Sequence, residues 1–226
     1  MRAVVIAAGV GSRLRPLTER YAKPVLPIDG RPVIATLLRE LTAAAVHDVT
    51  VVVGHRGDGV RRLLGDGRAF GVELRYATQE EPLGSAHAVA VAAVEPPYLA
   101  VGADSVFASG EIGRFLAAYD ASGAAGAVAV RTDPGGVVTV VDGAVTRFGT
   151  EGATHAAAPL WAVGTALALR VAALPGEPPH ELAQAFREAI DAGERVEAVE
   201  VSAWRDLTSP LDLLLENFPY LKDLLP

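Results

Sequence analysis

Apolar and polar residues follow two periods along this chain. Short runs rich in valine and alanine occur at Ala3–Ala8, Val49–Val53, Glu73–Ala77, Tyr98–Val101 and Gly126–Arg131. Nearly unbroken apolarity over so few residues marks strands buried on both faces, as in parallel sheets. Between them lie stretches with apolar residues at helical spacing: Pro32–Ala45, with a proline in its first turn, then Gly57–Leu64, Ser85–Val94 and Ser109–Tyr119. Strands alternating with helices predict an α/β fold, a mostly parallel Rossmann-like sheet with helices on both faces.

After Arg131 the pattern changes. Val137–Val141 and Ala144–Phe148 flank Asp142-Gly143, a turn pair that predicts a small β-hairpin insertion. Gly149–Pro159 reads as a loop, Leu160–Leu169 as a further apolar strand, Pro179–Ala192 as a helix and Arg195–Val201 as a late strand. Ser209-Pro210-Leu211-Asp212 has the form of a helix start: a capping serine, a proline in first place and an acid in the first turn. That helix is expected to run toward Lys222. No linker, repeat or low-complexity tract divides the chain, so residues 1–226 are expected to form one domain.

Composition narrows the function classes. A chain of 226 residues with 50% hydrophobic content can bury one sizeable core. Without cysteine there is no disulfide framework and no thiolate nucleophile, which suits a cytoplasmic protein. A formal charge of -7 argues against a general nucleic-acid binder but is compatible with a local basic pocket. The first apolar run is too short to cross a membrane and meets glycines at once, so it reads as a strand rather than an anchor or signal peptide.

Directly after that strand comes GVGSRLRPLT, Gly9 to Thr18. Two glycines let a backbone bend tightly and bring N–H groups close to a phosphate, and an arginine can add a bidentate charged contact. A dinucleotide fingerprint fails here, because Leu14 stands where its third glycine belongs and Val53-Gly54-His55 lacks the ribose-binding acid. A Walker loop is absent. Taken alone, the segment is equally well a glycine-rich connector with solvated arginines.

The continuation ERYAKPVLPIDGRPVI changes this. The joint pattern G-x-G-[ST]-R-L-x-P-L-T, a spacer, then K-P-x-L-P-I-x-G-x-P resembles the sugar-phosphate nucleotidylyltransferases, or sugar-nucleotide pyrophosphorylases, of the glucose-1-phosphate thymidylyltransferase type. The resemblance implies that Gly9, Gly11, Ser12 and Arg13 wrap a nucleoside triphosphate with Lys23 beside them, Arg13 and Lys23 being the catalytic cations. YATQEEPLGSAHA resembles the family's base-reading segment and places Gln79, Pro82, Gly84 and Ser85 on the nucleotide, a pyrimidine suiting the glutamine amide. Locally, Ser85 is equally a helix N-cap. LAVGADSVF puts Asp104 just beyond a strand end, and AWRDLTSPLDLLLEN puts Asp206 before the last helix. The resemblance makes these two aspartates the ligands of a Mg²⁺ ion. Read locally, Asp104 is a turn or cap residue and Asp206 a surface acid.

Two family features are missing. After the hairpin the chain reads Arg147-Phe148-Gly149-Thr150-Glu151-Gly152, with no lysine for a sugar phosphate, and Leu160-Trp161-Ala162-Val163-Gly164 lacks the family's asparagine. Trp161 reads first as a core residue and second as an acceptor-pocket wall. His155 reads as solvated and His87 as a helix-face residue. The implied reaction is nucleotidyl transfer from a nucleoside triphosphate, pyrimidine favoured, to a phosphorylated small molecule, a sugar 1-phosphate first. A cytidylyltransferase for a non-sugar phosphate such as phosphocholine, and a nucleotide-binding regulatory protein without turnover, remain open. No nucleic acid, membrane or appended β-helix domain is expected, and the oligomeric state is left open, a homo-oligomer included.

Overall fold

The computed structural model describes residues 1–218. In chain order the elements are β1 Arg2–Ala7, β2 Pro27–Ile28, β3 Arg31–Pro32, α1 Val33–Ala43, β4 Asp48–Val53, α2 Gly57–Leu64, β5 Glu73–Thr78, α3 Ser85–Val91, β6 Tyr98–Gly102 and β7 Ser105–Phe107. They continue as α4 Glu111–Ser122, β8 Gly126–Thr132, β9 Val138–Val141, β10 Ala144–Phe148, β11 His155–Val163, α5 Thr165–Ala172, α6 Leu182–Asp191, β12 Val196–Glu200, β13 Trp204–Asp206 and α7 Pro210–Asn217. The stretch between β1 and β2 forms short 3₁₀ turns at Ser12–Leu14, Leu17–Glu19 and Lys23–Val25.

One nine-stranded sheet runs β5-β4-β1-β6-β11-β8-β12-β10-β9. Strand side chains alternate between its two faces. Ala3, Val5 and Ala7 of β1 join Leu37, Leu41, Val60 and Phe115 on the face covered by α1, α2 and α4. Val4 joins Val89, Leu167 and Phe186 on the opposite face, under α3, α5 and α6. Helices on both faces are thus as the pattern predicts.

The sheet itself is mixed, which corrects the mostly parallel expectation. β5, β4, β1 and β6 pair in parallel, as do β8 and β12. β11 runs antiparallel to both β6 and β8, and the hairpin pairs antiparallel within itself and with β12. Apolarity reports burial on both faces, not direction. β11 is as apolar as a parallel strand because Ala158, Leu160 and Ala162 face the core while Ala157, Pro159 and Trp161 on its other side line a cavity with apolar groups.

β11 also starts and ends earlier than predicted. It covers His155–Val163, so the loop after the hairpin ends at Thr154, and the residues after Gly164 form α5 instead of strand. Gly164 is where the chain turns. A Cβ there would lie 2.5 Å from the Ala125 carbonyl oxygen and 2.9 Å from the Tyr119 hydroxyl. Asp142 and Gly143 both take positive φ, 49° and 72°, the geometry of a two-residue hairpin turn. α7 starts as predicted, with Ser209 accepting from the Asp212 N–H while Asp212 reaches back to the Ser209 N–H. Its last helical residue is Asn217, and Lys222 lies outside the described residues.

Candidate active site

The parallel strands β1 and β6 are neighbours, with Ile6 opposite Gly102. Their carboxyl ends open into a cavity of 640 Å³. In open α/β sheets this is the edge at which ligands gather, because the loops leaving adjacent strands part there. The loop after β1 contributes Gly9, Gly11 and Arg13, the next turn Lys23, and the segment after β6 Asp104.

The two glycines of the loop have different reasons. Gly11 takes φ +64°, and a Cβ would lie 2.9 Å from the Thr18 methyl and 3.3 Å from the Lys23 Cβ. It closes the loop so tightly that a side chain has neither the conformation nor the room. Gly9 has nothing within 4 Å of where a Cβ would stand, so its smallness leaves open space in the cleft. The loop is pinned from behind. Thr18 donates its hydroxyl to the Gly11 carbonyl at 2.9 Å, and the His55 ring meets the Thr18 carbonyl at 3.0 Å. Here His55 occupies the end of β4, where a dinucleotide fold would hold its acid.

Asp104 and Asp206 converge. β13 pairs antiparallel with β7, placing Asp206 opposite Ser105, and the Leu207 N–H donates to the Asp104 carbonyl at 3.0 Å. Both carboxylates line the cavity. Neither caps a helix: α4 starts after Gly110, and α7 is capped by Ser209. Lys23 places its ammonium on Asp104 Oδ2. Asp206 accepts from the Ser105 hydroxyl at Oδ1 and from the Trp204 indole N–H at Oδ2, 3.1 Å. Burial pushes its carboxyl above the ordinary value, and the nearby Asp104 charge adds to this. The Ser105 and Trp204 donors and the Lys23 ammonium oppose the shift.

These donors suit Mg²⁺, which takes hard oxygen ligands and commonly only one or two carboxylates, the rest coming from water and phosphate. No group of three or more His, Cys, Asp or Glu able to hold a metal occurs among the described residues, so a site made wholly of protein ligands is not what the cleft offers.

The base-reading segment behaves differently from its motif. Gln79 is buried, and its amide donates to the Gly84 carbonyl at 3.0 Å and meets His87 Nδ1 at 2.9 Å. The glutamine thus ties the end of β5 to the start of α3, and His87 serves as its partner. Gln79 and Pro82 are not brought to the cavity wall, whereas Ser85 is. Ser12 also stays off the wall, exposed beside Arg13. Gly84, with φ +100°, is the N-cap residue of α3, which leaves Ser85 free for another task. The Ser85 hydroxyl donates to Glu181 and accepts from the Leu182 N–H at 2.9 Å, joining α3 to the start of α6.

Another part of the cavity wall is formed by Ala157, Pro159 and Trp161 of β11, the strand next to β6, and by Glu181, Leu182 and Ala183. Among the described lining residues the cations are Arg13 and Lys23, both at the β1 end. Trp161 is core and wall at once. It stacks on Phe148 at 5.9 Å and meets Phe186 edge-on at 4.8 Å, and it lines the cavity. His155 is not simply solvated, since its Nε2 lies 2.8 Å from a Glu200 oxygen. Sequence reasoning missed Glu181. Its only local signal was a Glu181-to-Gln184 spacing that the structure uses as a capping box.

Known proteins resemble the chain at two levels. A crystal structure of a candidate glucose-1-phosphate thymidylyltransferase from Bacillus anthracis, in complex with sucrose, matches with a TM-score of 0.85 at 21% identity, covering 96% of this chain and 94% of that one. The inositol-1-phosphate CTP transferase from T. maritima matches at 0.81, with 20% identity over 93% and 90% of the two chains. At such identity these likenesses establish the fold. In sequence, the chain is 42% identical to a glucose-1-phosphate thymidylyltransferase of Streptomyces griseus over 91 residues, 40% of this chain and 26% of that protein. It is 35% identical to a CMP-5'-(3-aminopropyl)phosphonate synthase of Streptomyces rubellomurinus over 153 residues, 66% of this chain and 24% of that one. The matched stretch thus spans about a quarter of each of these two relatives. The nucleotidyl transferase family model matches residues 2–149, which include β1, the glycine loop, Lys23 and Asp104. With that match over more than half its length, the chain belongs to the nucleotidyl transferase family.

Proposed function

We propose that the protein transfers a nucleotidyl group from a nucleoside triphosphate to a phosphorylated small molecule, releasing pyrophosphate. The observation that carries this is the convergence of Arg13, Lys23, Asp104 and Asp206 on one cavity at the carboxyl ends of parallel strands. A phosphate oxygen of the acceptor forms a bond to the α-phosphorus. The bond from that phosphorus to the bridging oxygen of pyrophosphate breaks, and its electron pair leaves with pyrophosphate. The acceptor oxygen is already anionic, so no proton needs removal and no nucleophilic side chain is called for.

The residues then act by position and charge. Gly9 leaves room for a phosphate chain along the loop, and Arg13 and Lys23 meet the negative charge that grows on the departing phosphates. Asp104 and Asp206 would hold Mg²⁺, which when bound supplies further charge neutralisation on the phosphates. Ser85 and the start of α6 bound the cavity on the remaining side.

A sugar 1-phosphate is the acceptor class that the named thymidylyltransferase relatives suggest. A second reading, cytidylyl transfer to a non-sugar phosphate or phosphonate, is favoured by a specific observation. The acceptor end lacks a lysine or arginine among its described residues, and the Streptomyces rubellomurinus relative is named for a phosphonate. Both readings keep a pyrimidine nucleotide in front. The test crosses CTP, dTTP, UTP, ATP and GTP with sugar 1-phosphates, choline phosphate and aminoalkyl phosphonates, scored by pyrophosphate release with Mg²⁺ and with chelator. Release that needs a triphosphate, an acceptor and Mg²⁺ together supports transfer. Triphosphate binding with no release for any acceptor supports the regulatory alternative.

A further inference from the structure

Asp104 and Asp206 reach the same cavity on different supports. Asp104 leaves directly from β6, a strand of the main sheet with neighbours on both sides. Asp206 sits on β13, a three-residue strand whose partner is the three-residue β7, outside the main sheet. The direction of its carboxylate is fixed by two side-chain donors: the Ser105 hydroxyl on β7, bonded to Oδ1, and an indole bonded to Oδ2.

Trp204 is two residues before Asp206 on the same strand, so both side chains project to the same face. That spacing puts the indole N–H beside the carboxylate, and the bond to Oδ2 is 3.1 Å. The indole is fixed in its turn. It packs against the main core cluster, and the Arg131 guanidinium lies over its ring, 4.5 Å from the centroid. Arg131 stands near the end of β8, within the nine-stranded sheet. Arg131, Trp204 and Asp206 therefore form a relay of contacts that links this outer ribbon to the sheet.

We propose that Trp204 is a positioning residue for Asp206, holding one carboxylate oxygen by its indole N–H so that the carboxylate pair is aimed at a divalent cation. The idea rests on Asp104 and Asp206 being the metal ligands of the proposed function. Donors to ligating carboxylates commonly change metal affinity by about 10- to 100-fold when removed.

The test measures Mn²⁺ binding to the purified full chain by the electron paramagnetic resonance signal of the free ion, for wild type, Trp204→Phe and Arg131→Met. Trp204→Phe keeps an aromatic ring for Arg131 and the core but removes the N–H. Its Mn²⁺ affinity is expected to fall roughly 10-fold, with the thermal midpoint kept near wild type. Arg131→Met, which leaves the N–H in place, is expected to weaken binding by a smaller factor. In turnover assays the Mg²⁺ concentration for half-maximal rate should rise in Trp204→Phe while the rate at saturating Mg²⁺ is largely kept, a split that general loss of packing would not give. Wild-type affinity in folded Trp204→Phe would overturn the proposal while leaving the metal site standing. If Trp204→Phe does not fold, wild-type affinity in Arg131→Met would overturn the relay. Absence of Mn²⁺ binding by the wild type would instead remove the metal site itself, and the proposal with it.

Discussion

Two parts of the cavity wall are built on different principles. At the β1 and β6 end, loops leaving parallel strands gather Gly9, Gly11, Arg13, Lys23 and Asp104 within a short stretch of surface, and Asp206 is brought in by the β7 and β13 ribbon. At the β11 end, an antiparallel strand and the start of α6 supply Ala157, Pro159, Trp161, Leu182 and Ala183, with one carboxylate, Glu181. One end offers charge and the other mainly shape. Parallel strands release all their loops at one edge, so chemistry collects there. An inserted antiparallel strand instead lays its side chains along the wall. In the proposed reaction, this division would leave the phosphate chemistry to the charged residues and the choice of acceptor to the β11 wall.

If that division holds, the largest losses come from the charged end. Asp104→Asn and Asp206→Asn are each expected to abolish metal-dependent transfer with every acceptor while the metal-free protein stays folded, with a thermal midpoint not below wild type for Asp206→Asn. An amide keeps an oxygen for the Lys23 ammonium at position 104. At position 206 it removes a charge that burial and Asp104 already disfavour. A carboxyl raised in the fold is destabilising once pH exceeds its unfolded value, so neutralising it should raise the relative stability of the variant as pH increases. Rates at several Mg²⁺ concentrations and melting curves at several pH values check both parts.

Arg13→Ala and Lys23→Ala come next, each expected to slow turnover by roughly 100-fold or more at saturating substrates, since removing one donor to developing charge has about this effect. Rates within a few-fold of wild type would move the phosphates elsewhere. Trp161→Leu probes the other end. Its main effect should be on the acceptor's KM and on the ranking of acceptors, with the nucleotide's KM nearly unchanged. An equal change in both would dissolve the division. The smallest contrast separates the two glycines. Gly11→Ala should cost about 1–2 kcal/mol of stability, the usual penalty of left-handed backbone in an L-residue, with the 2.9 Å approach to Thr18 adding to it. Gly9→Ala should leave the midpoint unchanged and weaken triphosphate binding, read by thermal shift with and without nucleotide.

The charged end was also the legible one. The glycine loop and Lys23 follow one another closely and Asp104 sits just past a strand end, so each could be read as a local motif, and their meeting needed only the adjacent parallel strands β1 and β6. The convergence of Asp206 came from its motif alone, since nothing local says that β13 pairs with β7. The direction of β11 was illegible because its cavity-facing residues, Ala157, Pro159 and Trp161, are as apolar as its core-facing ones, so the polar alternation common in antiparallel strands is missing. Gln79 shows the opposite limit. Its motif was visible, but His87 and the Gly84 carbonyl take up its amide, and such partners emerge only when β5 and α3 are packed. Glu181 was hidden for a related reason: its bond to Ser85 joins residues far apart in the chain.

In the proposed reaction the charged residues transfer the α-phosphorus of a triphosphate onto an acceptor phosphate. The most direct measurement follows a pyrimidine nucleoside triphosphate labelled at its α-phosphorus, incubated with Mg²⁺ and a phosphorylated acceptor, with product and pyrophosphate quantified together. Label is expected in a nucleotide joined to the acceptor through a diphosphate, or a phosphonate–phosphate linkage, in equal amount to pyrophosphate, with no such product from Asp206→Asn. Label confined to free nucleoside monophosphate, or product formed equally well by Asp206→Asn, would contradict it.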